Sequence, residues 1–176
     1  MQRLFAEDPL IRHMVDYVPR TEETGPMMIL EPFQKTLWDA RTMRPLSTQE
    51  IKYIMKAALV AIVIVHSKGL VYADLKMENI GLIGFDDEKP SDNPRNITVR
   101  RADLGSISKP GDREISALTY RSPEVHFGKP WNESTDVWSW GIVFAQLLLA
   151  QVDFESPSMY DNIAAGTLEE KNKGSP

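Results

Sequence analysis

Val71-Tyr72-Ala73-Asp74-Leu75-Lys76-Met77-Glu78-Asn79-Ile80 is the stretch from which the rest of the sequence is read. It sets a carboxylate at Asp74, an ammonium two residues on at Lys76 and a carboxamide three further at Asn79. That set suits movement of a phosphoryl group. A carboxylate accepts the proton of an attacking hydroxyl, an ammonium offsets charge on the transferred group, and an amide oxygen serves Mg²⁺. Alone, the stretch also fits a polar turn ahead of a strand, so its neighbours decide.

Three more segments follow in a telling order. They are Arg101-Ala102-Asp103-Leu104-Gly105, Tyr120-Arg121-Ser122-Pro123-Glu124 and Asp136-Val137-Trp138-Ser139-Trp140-Gly141. With the first stretch they resemble the catalytic loop, the D-F-G segment, the A-P-E segment and the helix beneath the loop in eukaryotic protein kinases. The resemblance runs over about residues 11–151, with a loose likeness to the group of SR-protein kinases and dual-specificity tyrosine-regulated kinases. It implies a mainly α chain with small β-hairpins, an α+β fold: a protein-kinase-like C-terminal lobe with the N-terminal lobe reduced to one hairpin. Residues 1–155 are expected to form this partial domain, with the hairpin at 11–30, the hinge region at 31–46 and the C-lobe at 47–155. Residues 156–176 read as a polar tail.

The resemblance also implies roles. Asp74 is the base or hydroxyl-orienting group, Lys76 meets the γ-phosphate, and Asn79 and Asp103 hold Mg²⁺. Gly105 gives the following segment backbone freedom, Glu124 belongs to the support of the site, and Asp136 holds the catalytic loop. Leu30 takes the gatekeeper place, the Glu31 carbonyl and Phe33 amide face adenine, and Gly81 stands where an apolar side chain usually floors the base. ATP and Mg²⁺ are the implied cofactors, with a protein hydroxyl as acceptor; Lys76 resembles serine/threonine rather than tyrosine kinases.

Composition agrees with one unit of this kind. A chain of 176 residues with 42% hydrophobic content buries one domain core. A formal net charge of −5 argues against nucleic acid or an anionic membrane surface as partner. No cysteine is present, which excludes disulfides and thiolate metal sites, and an intracellular setting, cytoplasmic or nuclear, is expected. The longest apolar run, at 57–65, falls far short of the roughly 18 residues a membrane span needs.

In chain order, residues 1–8 have helical composition and Pro9 ends them. Residues 11–18 and 27–30 read as strands of a hairpin, the second short and buried, with turn residues at 19–26. Ser47-Thr48-Gln49-Glu50 is a capping box that starts a helix, and Gly69 is placed to stop it in the left-handed region. Apolar Ile51, Ile54, Met55, Ala58, Leu59, Ile62 and Val65 fall on one face, and Val60, Val63 and Ile64 widen the stripe, so the helix is expected to be mostly buried. His66, near its C-terminal end, reads as structural. Residues 80–85 and 97–101 read as paired strands that bring Asn79 and Asp103 to neighbouring ends. The acidic Asp86-Asp87-Glu88 between them lacks calcium-loop spacing and reads as a solvated insertion. Ser106, Ser108, Ser116 and Thr119 offer hydroxyls in the activation segment. Asp136 opens an apolar helix with its carboxylate placed for the helix-start amides, and Trp138, Trp140 and Phe144 read as core.

The sequence also departs from the family pattern. Upstream of Glu31 there is no glycine-rich loop and no lysine in a V-A-I-K setting. Tyr72 and Ala73 replace His and Arg, Leu104 replaces Phe, and Ala117 falls where a bridging hydroxyl is usual. Gly81 should weaken base stacking, and Glu124 lacks its arginine. The readings that follow are a serine/threonine kinase fold, a pseudokinase-like binding module with a partner chain over exposed apolar surface, or a truncated gene product.

Overall fold

The capping box does what its spacing predicts. Ser47 Oγ accepts from Glu50 N at 3.2 Å, and Glu50 Oε2 accepts from Ser47 N at 2.8 Å, satisfying two orphan donors at the start of a helix. The structure, a computed structural model, describes residues 2–21 and 25–155. Its elements in order are β1 (Met14–Val18), β2 (Met27–Leu30), β3 (Lys35–Thr36), α1 (Leu37–Met43), α2 (Thr48–His66), β4 (Ile80–Ile83), β5 (Thr98–Arg101), α3 (Pro123–His126) and α4 (Ser134–Val152). Short 3₁₀ turns lie at Gln2–Phe5, Met77–Asn79, Pro94–Asn96 and Leu118–Tyr120.

Helices α2 and α4 form the body. Ile51, Ile54, Met55, Ala58, Ala61, Ile62 and Val65 of α2 are buried, each large one contributing about 1.5–3 kcal/mol by leaving water. They share one core with Ile142, Val143 and Leu147 of α4. Trp140 stacks on Phe144 with ring centroids 5.3 Å apart, and its Nε1 donates to Met55 O at 2.9 Å, pinning one helix to the other. Gly69 sits at φ +67° just beyond α2, as expected of its stop signal.

Two sheets frame this pair. β1 and β2 form an antiparallel ribbon; β3, β4 and β5 form a three-stranded antiparallel sheet in that order. In the second sheet Ile80 pairs with Arg101 and Gly81 with Arg100. The segment before β1 joins its outer edge: Arg101 N donates to Leu10 O at 2.8 Å and Arg12 N to Arg101 O at 2.9 Å.

Several expectations need correction. β2 is a strand but is not buried: Met27, Met28 and Ile29 are each about half exposed, because nothing among the described residues covers that side of the ribbon. Helix α2 is one-sided, with Val60 and Val63 facing solvent. Trp138 is exposed and only Trp140 and Phe144 pack on the core. Residues 1–8, read as helical in composition, form only the 3₁₀ turn at Gln2–Phe5, and helix α1 falls within the stretch 31–46 that was read as the hinge region. The polar tail at 156–176 lies outside the described residues.

The acidic loop after β4 is tied down rather than free. Arg44 donates to Asp86 O at 3.1 Å and 2.9 Å and to Lys89 O at 3.0 Å, while the Ser91 amide donates to Glu50 Oε1 at 3.0 Å. Arg44 and Glu50 themselves form a buried two-point pair at 3.0 Å and 2.8 Å.

Candidate functional site

The loop of residues 71–79 takes its shape from one buried carboxylate. Asp136, 1% exposed, accepts from Tyr72 N at 2.7 Å and Ala73 N at 2.9 Å, and His66 Nε2 lies 2.8 Å from it. Asp136 is the third residue of α4, so its carboxylate turns away from the helix-start amides and into the loop. The expected capping role is corrected, and the loop-holding role is what the bonds display. Ala73 has φ +68°, a left-handed conformation that costs about 1 kcal/mol outside glycine and persists only where its surroundings hold it. Two charge-assisted bonds, from the successive N–H groups of Tyr72 and Ala73, do that.

Beyond Ala73 the side chains converge. Asn79 Nδ2 donates to Asp74 O at 2.8 Å and to Asp74 Oδ2 at 3.0 Å. Lys76 Nζ lies 3.1 Å from the same Oδ2. Asp74, Lys76 and Asn79 therefore form one bonded group. Pairing of Ile80 with Arg101, with Ala102 N donating to Asn79 O at 3.0 Å, sets Asp103 at the same end of the β4–β5 hairpin as Asn79. Asp103 Oδ1 accepts from Gly105 N at 2.7 Å, and a side chain at Gly105 would start 3.0 Å from that oxygen. Glycine keeps the turn close.

These residues fit Mg²⁺. Bonding through Nδ2 leaves Oδ1 of Asn79 as the end available to a cation, and exposed Asp103 keeps its second carboxylate oxygen. Among the described residues no group of three or more His, Cys, Asp or Glu side chains gathers to hold a metal. Two oxygen ligands with retained water are the small set that Mg²⁺ accepts.

The hinge holds a different arrangement from the one expected. Leu30, half-buried at the end of β2, pairs with Met14. Glu31 is gripped from three sides: its N–H donates to His13 O at 2.9 Å, Arg100 Nε donates to its Oε1 at 2.8 Å, and Arg12 Nε donates to its carbonyl at 2.6 Å. The carbonyl expected to face a base thus already accepts from Arg12. The Phe33 ring lies against Gly81, and the Arg12 guanidinium sits 4.7 Å from the ring centroid.

The activation segment is bound to the loop it follows. Val71 and Ser108 exchange two backbone bonds at 2.8 Å and 3.0 Å, and Gly111 and Trp131 exchange two more at 3.2 Å and 2.7 Å. Ser116, one of the hydroxyls of this segment, lies at φ +62° and donates from Oγ to Ala73 O at 3.0 Å. Ala73, Asp74, Gly105, Ser106, Arg113 and Ser116 line a cavity of about 270 Å³ beside the carboxylate. Glu124 stands apart from this group, on the rim of an open groove with Trp138 and Gly141.

One buried cation escaped the sequence reading. Arg101 is 1% exposed, its guanidinium 3.8 Å from the centroid of the Tyr72 ring, and none of the three guanidinium nitrogens has a hydrogen-bond acceptor among the described residues. Burial lowers its pKa, with Tyr72, Asp136 and Asp74 acting in the opposite sense. Burial pushes the Tyr72 phenol up to about 12, with Arg101 opposing and Asp103 and Asp74 adding to the shift. A basic residue in a strand ordinarily signals a solvated face, so no pattern announced it.

Comparison with known proteins gives this geometry a setting. A family model described as the protein kinase domain matches residues 6–173. Homeodomain-interacting protein kinase 1 of Caenorhabditis elegans is 34% identical over 143 residues, which cover 77% of this chain and 16% of that protein. Serine/threonine-protein kinase 33 of Bos taurus is 30% identical over 137 residues, covering 72% and 28%. Cyclin-dependent kinase B2-1 of Arabidopsis thaliana is 26% identical over 171 residues, covering 89% and 51%. The chain spans less than a third of the length of the first two.

Proposed function

Because the chain belongs to the protein kinase domain family, we propose that its residues 71–105 perform phosphoryl transfer from Mg²⁺-bound ATP to the hydroxyl of a protein serine or threonine. The observation that carries this reading is the bonded group of Asp74, Lys76 and Asn79 beside Asp103. Phosphoryl transfer asks a protein for positioning and for positive charge around three oxygens, with little covalent work.

Both contacts to Asp74 fall on Oδ2, so Oδ1 is the oxygen that meets an acceptor hydroxyl entering the cavity bounded by Gly105, Arg113 and Ser116. The hydroxyl proton passes to Asp74 as the hydroxyl oxygen bonds to the γ-phosphorus, and the bond from that phosphorus to the β-bridging oxygen breaks to release ADP. Lys76 moves its charge from Asp74 toward the phosphoryl oxygens. Asn79 and Asp103 would hold Mg²⁺, which neutralises charge on the β- and γ-phosphates when bound. Tyr72 takes the place of the family's histidine, and its ring lies against the buried Arg101 guanidinium. An intracellular setting, cytoplasmic or nuclear, supplies the ATP and Mg²⁺ that this chemistry uses.

The test is phosphate transfer to a generic serine/threonine substrate such as myelin basic protein, compared with Asp74→Asn and Asp103→Asn. Transfer that both variants abolish is the expected result. Transfer equal in all three forms, or absent from the unsubstituted chain, overturns the reading. A second reading, a binding module that transfers nothing, is favoured by the exposed apolar side of the β1–β2 ribbon and by Val137 and Trp138 on α4. A stable chain that captures a defined partner without transfer supports it.

A further inference from the structure

Gly81 lies within β4, paired with Thr36 on one side and Arg100 on the other, and its φ lies outside the left-handed region. Its backbone therefore needs no glycine, while glycine within a strand weakens the strand. The reason for it lies across the sheet face. A Cβ built on Gly81 would meet Phe33 Cδ1 and Cγ at 2.7 Å and Cε1 at 3.2 Å, closer than such contacts occur, so the missing side chain is the space the ring fills. Arg12 completes the arrangement, its guanidinium 4.7 Å from the ring centroid and its Nε donating at 2.6 Å to the Glu31 carbonyl.

We propose that this chain fills its own base seat, the Phe33 ring lying where a purine ring would lie and the Arg12 guanidinium taking the carbonyl that would accept from a purine's amino group. This rests on the reading above that residues 30–33 and Gly81 form the base side of a nucleotide site. The consequence is a site that meets a nucleotide through its phosphates and metal, and admits the base only when Phe33 swings away. Phe33 decides that step. The ring is only half-buried, so it leaves by a side-chain rotation without unfolding the sheet. Gly81 decides it from the other side, because any side chain there forces the ring out.

The geometry separates the base from the phosphates, and so does the experiment. Adenosine, which has no phosphate, is titrated by isothermal calorimetry or protein-observed NMR into the full chain and into its Phe33→Ala and Arg12→Met variants. Removing a competitor that holds the seat closed is expected to tighten adenosine binding about tenfold in Phe33→Ala. Arg12→Met, which frees the carbonyl but keeps the ring, is expected to give a smaller gain in the same direction. Where Phe33→Ala does not fold, as judged by near-ultraviolet circular dichroism, Phe33→Leu removes the ring and carries the same expectation. Adenosine that binds the unsubstituted chain as tightly as the ring-free variant, or that binds neither, overturns the proposal. Asp103→Asn separates the two readings: it abolishes Mg²⁺-dependent transfer, if that occurs, and leaves the adenosine gain of Phe33→Ala intact. A gain in adenosine affinity with no transfer by any form keeps the filled seat and discards the activity.

Discussion

Replacing Asp136 by asparagine keeps shape and volume and removes one acceptor. The carboxylate now accepts Tyr72 N and contacts His66 through Oδ2, and accepts Ala73 N through Oδ1. Asparagine has a single oxygen, so in its better orientation it keeps Tyr72 and His66 and turns its NH₂ toward the Ala73 N–H, donor against donor. A buried donor left without a partner costs about 1–3 kcal/mol, and the two surviving bonds lose the charge that strengthened them. The stranded amide belongs to the residue held at φ +68°, so the strain there is no longer opposed. A loss of about 3 kcal/mol follows, which in a domain of this size lowers Tm by about 6–12 °C. Thermal unfolding followed by circular dichroism reads that shift, and hydrogen exchange at Ala73 N–H reads its cause. The exposed residue Glu78 is the control, since Glu78→Gln touches none of these bonds. A Tm within about 2 °C of the unsubstituted chain, or unchanged protection at Ala73, would show that Asp136 does not hold the loop.

Other consequences follow from buried charges elsewhere. Glu50→Gln leaves Arg44 buried without its partner and is expected to cost about 3–5 kcal/mol, read as a fall in the urea midpoint. Burial works against ionisation of Glu50, but bonds from Arg44, Ser91 and Ser47 outweigh it and hold its pKa below the usual value. Stability from this group is therefore present above about pH 4 and lost as pH falls through the lowered pKa, and urea titrations at acid pH should show a flatter slope in Glu50→Gln. Arg101→Met is expected to leave Tm unchanged or raise it, because the guanidinium is buried without a hydrogen-bond acceptor among the described residues and an apolar side chain of similar length removes the desolvation cost; a fall of several degrees would show that stacking on Tyr72 outweighs that cost. Tyr72, held up to about 12, should ionise well above the ordinary phenol range in an absorbance titration, as the component that Tyr72→Phe removes. The unfolded chain ionises it near pH 10, so its stabilising contribution fades between about pH 10 and 12, and Tyr72→Phe removes that fading.

What the sequence made legible was local, and what it hid was long-range. Ser47 and Glu50 announce a helix start because both partners of the bonds lie three residues apart, and the β4–β5 hairpin follows from two short runs rich in apolar residues on either side of a polar loop with two prolines. Asp74, Lys76 and Asn79 stand within six residues, so their convergence follows from the turn that contains them. For Asp136 the spacing offered only a helix cap and the loop-holding role came from the resemblance alone, because its bonds span more than sixty residues to the loop and no spacing rule reaches that far. Strand β2 was read as buried from its apolar content alone, yet burial needs something to pack against, and only coordinates supply that. Gly81 shows the limit most plainly. As a letter it reads as a lost floor and a weakened base site; beside Phe33, forty-eight positions earlier, it reads as room made for a ring. A missing side chain has a meaning only when its neighbour in space is known.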